Sequence, residues 1–84
     1  MYRILIERSA EKDLGKLPID VHGRVIDAIK TLAANPRPPG CRKLTGSKND
    51  WRIRVGDYRV IYEIDDTDST ILVADVGHRR DIYR

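Results

Sequence analysis

Three arginines, Arg52, Arg54 and Arg59, carry the first chemical signal in this 84-residue sequence. They lie in residues 51–62, WRIRVGDYRVIY, where Trp51, Ile53 and Val55 point one way and Arg52 and Arg54 the other. Gly56-Asp57 fits a two-residue turn of type II′, which takes glycine at its first central position. A turn that tight pairs Val55 with Tyr58, Ile53 with Val60 and Trp51 with Tyr62. It also sets Arg54 opposite Arg59. Like charges directly across a ladder are unfavourable, on the scale of ~0.2–1 kcal/mol. Guanidinium forks suit phosphate oxygens, so a polyanion site explains the pairing. A solvated outer face, its arginine stems covering the sheet, fits the same residues.

His78 follows an apolar strand and a glycine, beside Arg79 and Arg80. It belongs to the residue type that exchanges protons near neutral pH. The other reading is a strand-end histidine bonded to backbone. Tyr83 offers a stacking ring or a phenol donor, or else packs against the sheet edge. No metal site is expected: His22, Cys41 and His78 share no ligand spacing, and Asp65-Asp66-Thr67-Asp68 lacks the glycine and distal glutamate of a calcium loop. No P-loop, dinucleotide fingerprint or nucleophile elbow is present, and no cofactor is expected.

Charge is concentrated where these residues lie. The whole chain carries +3, but residues 37–62 hold seven basic side chains (Arg37, Arg42, Lys43, Lys48, Arg52, Arg54, Arg59) against Asp50 and Asp57, a net +5. With Arg79, Arg80 and Arg84 near the end, this is a pattern expected of a polyanion-binding face.

The elements that must position this face follow from pattern. Residues 2–7 (YRILIE) predict a strand, residues 10–17 a short helix capped by Ser9, and residues 19–34 an amphipathic helix with Val21, Val25, Ala28, Ile29 and Leu32 on one side. Asn35-Pro36 ends that helix. After the hairpin, residues 65–69 predict a turn and residues 70–76 (TILVADV) a central strand, from which Gly77 releases the chain. The expectation is one domain over residues 1–84, of the α+β class. Its small, mostly antiparallel sheet carries both helices on one face, in the order β-α-α-β-β-β. Arg52, Arg54 and Arg59 should then lie on the open face, with the tail bringing His78, Arg79 and Tyr83 beside them. No apolar run approaches a membrane span, and the lone Cys41 excludes an internal disulfide; a cytoplasmic protein is the default.

The pieces KLTG, WRIRVGDYRVIYEID and VADVGHRRDIYR together resemble the RelE/ParE superfamily of small toxins, specifically its RelE-type members. The resemblance spans nearly the whole chain. It implies a ribosome-dependent endoribonuclease that cuts mRNA in the ribosomal A site by metal-free 2′-hydroxyl attack and is neutralised by a cognate antitoxin. It places catalytic roles on Arg52, Arg54, Arg59, His78, Arg79 and Tyr83, with Arg42, Lys43, Lys48, Arg80 and Arg84 binding RNA or ribosome. Some relatives use a hairpin lysine as base. Both hairpin positions here are arginine, a poor base, so proton transfer moves to His78. The rival readings are a ParE-like inhibitor of DNA gyrase and a non-catalytic RNA- or ribosome-binding module.

Overall fold

The computed structural model describes residues 1–82, with side chains through Arg80; Tyr83 and Arg84 lie outside the described residues. The chain runs β1 (Arg3–Ile6), α1 (Arg8–Gly15), α2 (Ile19–Leu32), β2 (Arg42–Lys43), β3 (Asp50–Val55), β4 (Tyr58–Asp65), β5 (Thr70–His78) and α3 (Arg79–Ile82). One five-stranded sheet takes the order β1-β5-β4-β3-β2. β1 is parallel to β5, and the remaining pairs are antiparallel. The α+β expectation holds, with two additions: the two-residue edge strand β2 and the terminal turn α3.

The helices form where period and breakers allow. In α2, Val25, Ile29 and Leu32 repeat at four and three residues and are buried, while Pro18 stands at its N-cap. α1 begins earlier than its Ser9 suggested, with Glu7 as N-cap and no side-chain cap. The Ser9 hydroxyl instead donates a long bond, 3.5 Å, to the Ala74 carbonyl. Ala10 and Leu14 of α1 join Ile53, Val60, Tyr62, Ile71, Val73 and Val76 in one core under both helices. Full burial of a side chain such as Val60 or Leu32 contributes about 1.5–3 kcal/mol.

The hairpin register is the one its alternation predicts, from Val55↔Tyr58 through Arg54↔Arg59 to Trp51↔Tyr62. Gly56 has φ +60°, and among the described non-glycine residues only Ser69 has positive φ, so Asp57 does not. That combination is a type II′ turn, not I′.

β5 departs from simple alternation. Ile61 pairs with Asp75 while Tyr62 pairs with Val73, so Ala74 is an extra, bulged residue. Strict alternation from buried Val73 would turn Asp75 and Gly77 toward the helices. The bulge shifts the phase, so Val76 is buried with Val60 instead. The strand also runs two residues past its expected end, through Gly77 to His78.

A second tie closes the far end of the sheet. The Tyr62 hydroxyl, fully buried, donates to the Pro36 carbonyl at 2.7 Å. Arg37 pairs with Asp66 at 2.9 Å and lies 4.9 Å over the Trp51 ring, and the Tyr2 hydroxyl donates to Asp66 at 2.6 Å. No helix among the described residues is long and apolar enough to cross a membrane.

Candidate nucleic-acid interface

The sheet face away from the helices carries two rows of cations. Arg42 of β2 stands opposite Arg52, which is opposite Ile61; Arg54 stands opposite Arg59, which is opposite Gly77. Both Arg–Arg pairs are direct cross-strand neighbours, where Cβ atoms come within ~4.5–5.5 Å and like charges repel. Among the described residues the one ion pair is Arg37–Asp66, outside these rows. Arg42, Arg54, Arg79 and Arg80 are exposed, and neither they nor Arg59 form an ion pair with a described carboxylate.

Arg59 differs from the open placement expected of it. It is 4% exposed. α3 packs across the ends of β4 and β5, and the Arg79 backbone N–H donates to the Asp57 carbonyl at 2.9 Å, closing the chain over the hairpin turn. The Arg59 Nη1 donates long bonds to the carbonyls of Gly56 (3.4 Å) and Tyr58 (3.3 Å), and its Nε has no partner. A buried donor left unsatisfied costs about 1–3 kcal/mol. Arg54 beside it is exposed, and Arg52 is half-buried.

His78 also departs from expectation. Because of the bulge it pairs with Tyr58, on the opposite face from Arg59, while Gly77 takes the place beside Arg59. The two rings meet edge-on, centroids 5.4 Å apart at 81°. The His78 Nδ1 accepts the Arg80 backbone N–H at 3.2 Å. In the neutral ring the proton then resides on Nε2. His78 thus presents a donor, and its second nitrogen is occupied.

The remaining predicted residues separate. Lys43 pairs with Trp51, so it lies on the opposite face from Arg42. Lys48 is exposed in the loop before β3, and Arg79 and Arg80 are exposed in α3. Tyr83 and Arg84 fall outside the described residues. Two residues went unnoticed in the sequence. Tyr58 meets His78 only because of the bulge. Arg24 of α2 brings its guanidinium to the hairpin turn, its Nη2 3.3 Å from where a Cβ on Gly56 would stand. Nothing local to α2 announces that contact. Among the described residues no three His, Cys, Asp or Glu side chains converge as metal ligands. Tyr62 is no base candidate: burial, then the neighbouring Cys41, push its phenol well above the ordinary value.

The model of the ParE toxin of type II toxin–antitoxin systems, parDE, matches residues 4–83. The toxin RelG of Mycobacterium tuberculosis is 36% identical over 87 residues, covering 99% of this chain and 97% of that protein. The archaeal RelE–RelB complex of Pyrococcus horikoshii contains a chain 31% identical, with a TM-score of 0.83 over 93% of this chain and 94% of that one. In the intact Escherichia coli RelBE toxin–antitoxin complex a chain 24% identical shares the fold, with a TM-score of 0.82 over 93% and 96%.

Proposed function

The chain belongs to the ParE toxin family of type II toxin–antitoxin systems as a RelE-type toxin, and on that premise we propose that it is an endoribonuclease cutting mRNA in the ribosomal A site. The observation that carries the reading is the buried Arg59 guanidinium beside Arg54, which forms no ion pair among the described residues. A buried guanidinium with no ion-paired carboxylate among the described residues suits an external anion, and a phosphodiester fits the fork.

The reaction asks little covalent chemistry of the protein. The substrate's 2′-oxygen attacks the adjacent phosphorus, the bond from phosphorus to the 5′-oxygen breaks, and a 2′,3′-cyclic phosphate and a 5′-hydroxyl result. The 2′-hydroxyl loses a proton and the leaving 5′-oxygen gains one. Arg52, Arg54 and Arg59 hold the phosphate oxygens in line and stabilise the extra charge of the transition state. His78 offers Nε2–H as a hydrogen-bond donor to the substrate. To act as a base it would first have to release the Arg80 N–H. Arg79 and Arg80 on α3, with Arg42 and Lys48, supply long-range attraction to RNA and ribosome. Tyr83 retains its expected stacking role.

The partner is a cognate antitoxin. The P. horikoshii neighbour is a RelE chain solved with RelB, and the exposed arginines Arg42, Arg54, Arg79 and Arg80 suit an acidic or amphipathic segment that folds as it covers them.

Mapping of mRNA 5′ ends in a purified translation system, with and without ribosomes, tests the reading. Cuts in register with codons, present only with ribosomes, are expected. Growth arrest by a toxin that produces no cuts in either arm rejects the nuclease and directs attention to gyrase.

A further inference from the structure

Arg24 is exposed on α2, four residues after Asp20 and three before Asp27. Those spacings put the three side chains on one helix face, where opposite charges can pair. Arg24 nevertheless has no ion pair among the described residues. Its guanidinium reaches across to the hairpin turn, with Nη2, Nη1 and Cζ 3.3, 3.9 and 4.0 Å from where a Cβ on Gly56 would stand. Glycine leaves that space open.

Gly56 thereby touches two guanidiniums. Arg24 meets it from the helix layer, and the Arg59 Nη1 donates to its carbonyl at 3.4 Å. Bond lengths within one residue then bring their nearest nitrogens within about 10 Å of each other. Arg54 stands opposite Arg59, and the Arg79 backbone closes on Asp57, so four arginines gather at a turn whose own acid is Asp57. The cations of the arginine face thus continue round the hairpin tip onto α2. RNA repeats its negative charge at short intervals, ~3.4 Å along the axis for one strand of a duplex. A strand whose scissile phosphate lies at Arg54 and Arg59 therefore carries another phosphate within the span to Arg24. An exposed guanidinium fork can bind it without first giving up a carboxylate.

We propose that Arg24 binds a backbone phosphate of the message neighbouring the scissile one, so that the cut strand crosses the hairpin tip. The inference rests on the ribonuclease reading above and adds a binding residue from the helix layer to it. Arg24 contributes affinity and holds the strand in register, while the chemistry stays with the arginine face.

The test follows single-turnover cleavage by the full-length toxin on ribosomes, across toxin and salt concentrations. Arg24→Ala is expected to raise the half-saturating concentration about fivefold, the upper range for a solvent-exposed charge pair. The saturated rate should stay within about twofold of wild type. The plot of log affinity against log salt should become shallower by ~0.7–0.9, the loss of one phosphate contact. Arg24→Lys keeps the charge and should keep the slope. Lys30→Ala removes a charge from the same helix about 240° round its axis and should change neither quantity. Messages carrying one uncharged methylphosphonate beside the cut locate the contact. At one position that replacement should cost wild type about the same fivefold and cost Arg24→Ala nothing further. Additive losses at every flanking position place the phosphate in ribosomal RNA and overturn the assignment. An unchanged slope in Arg24→Ala, an equal change in Lys30→Ala, or a fall in the saturated rate alone also overturns it, and each leaves the nuclease standing. Absence of any cutting by wild type removes the nuclease reading and this inference together.

Discussion

Replacing Arg59 with methionine should make the protein more stable and less active at once. The side chain is 4% exposed, its Nε lacks a partner, its Nη1 bonds are 3.3–3.4 Å long, and Arg54 stands directly opposite. An orphaned buried donor costs about 1–3 kcal/mol, and the repulsion across the ladder adds up to ~1 kcal/mol. Against these stand two weak hydrogen bonds, together ~1–2 kcal/mol at most. The balance favours methionine, which fills a similar volume without charge, by about 1 kcal/mol. For a domain of this size that is a rise in melting temperature of roughly 4–8 °C. Catalysis should fall by about 10²–10³, the loss typical of one preorganised donor to a transition-state oxyanion. Thermal melts and end-mapping rates measure both. Phosphate at ten times its dissociation constant should stabilise wild type by ~1.4 kcal/mol and Arg59→Met much less. An Arg59→Met protein that melts lower than wild type, or that cuts at the wild-type rate, refutes the argument.

The role of His78 separates by substitution. Glutamine keeps an N–H donor, so His78→Gln should retain most of the rate that His78→Ala loses; equal losses in single-turnover cleavage would restore proton transfer to the ring. Asp66 gives a pH signature. Arg37, then the Tyr2 hydroxyl, hold its carboxyl below the usual range. A folded value below the unfolded one means the contribution is present at neutral pH and lost as pH falls through the folded value. Melts from pH 7 downward should show that acid-side loss in wild type and a reduced one in Asp66→Asn. Gly56→Ala should cost about 1–2 kcal/mol from its left-handed φ of +60°. In an Arg24→Ala background the cost should persist in denaturant melts. Relief there would place it in the Arg24 contact instead of the backbone.

The hairpin was legible because alternation and a Gly-Asp turn determine register with no outside help. The apolar spacing of α2 was legible for the same reason, since period 3.6 and a following Asn-Pro are local signals. What escaped depended on distant chain. Arg59 reads as an open-face arginine until α3 closes over the strand ends. Arg24 meets Gly56 across 32 positions of sequence. The position of His78 depends on whether Ala74 is paired or bulged, and TILVADV alternates poorly enough that both phases fit. β2 is two basic residues held by Trp51 and Arg52, without β-branched side chains to mark it.

The Ala74 bulge makes the length of β5, more than its composition, the inherited quantity that must not drift. Point replacements along Thr70–His78 are graded changes, but a one-residue deletion at Ala74 would be a frame change confined to the strand's last four residues. Ile71 and Val73 would keep their places, while Val76 would turn outward and His78 would cross to the arginine side. Insertions and deletions here therefore exchange the chemistry of two surfaces in one step. A change of one residue in length can rearrange the donors on the arginine face without altering a single side-chain type there.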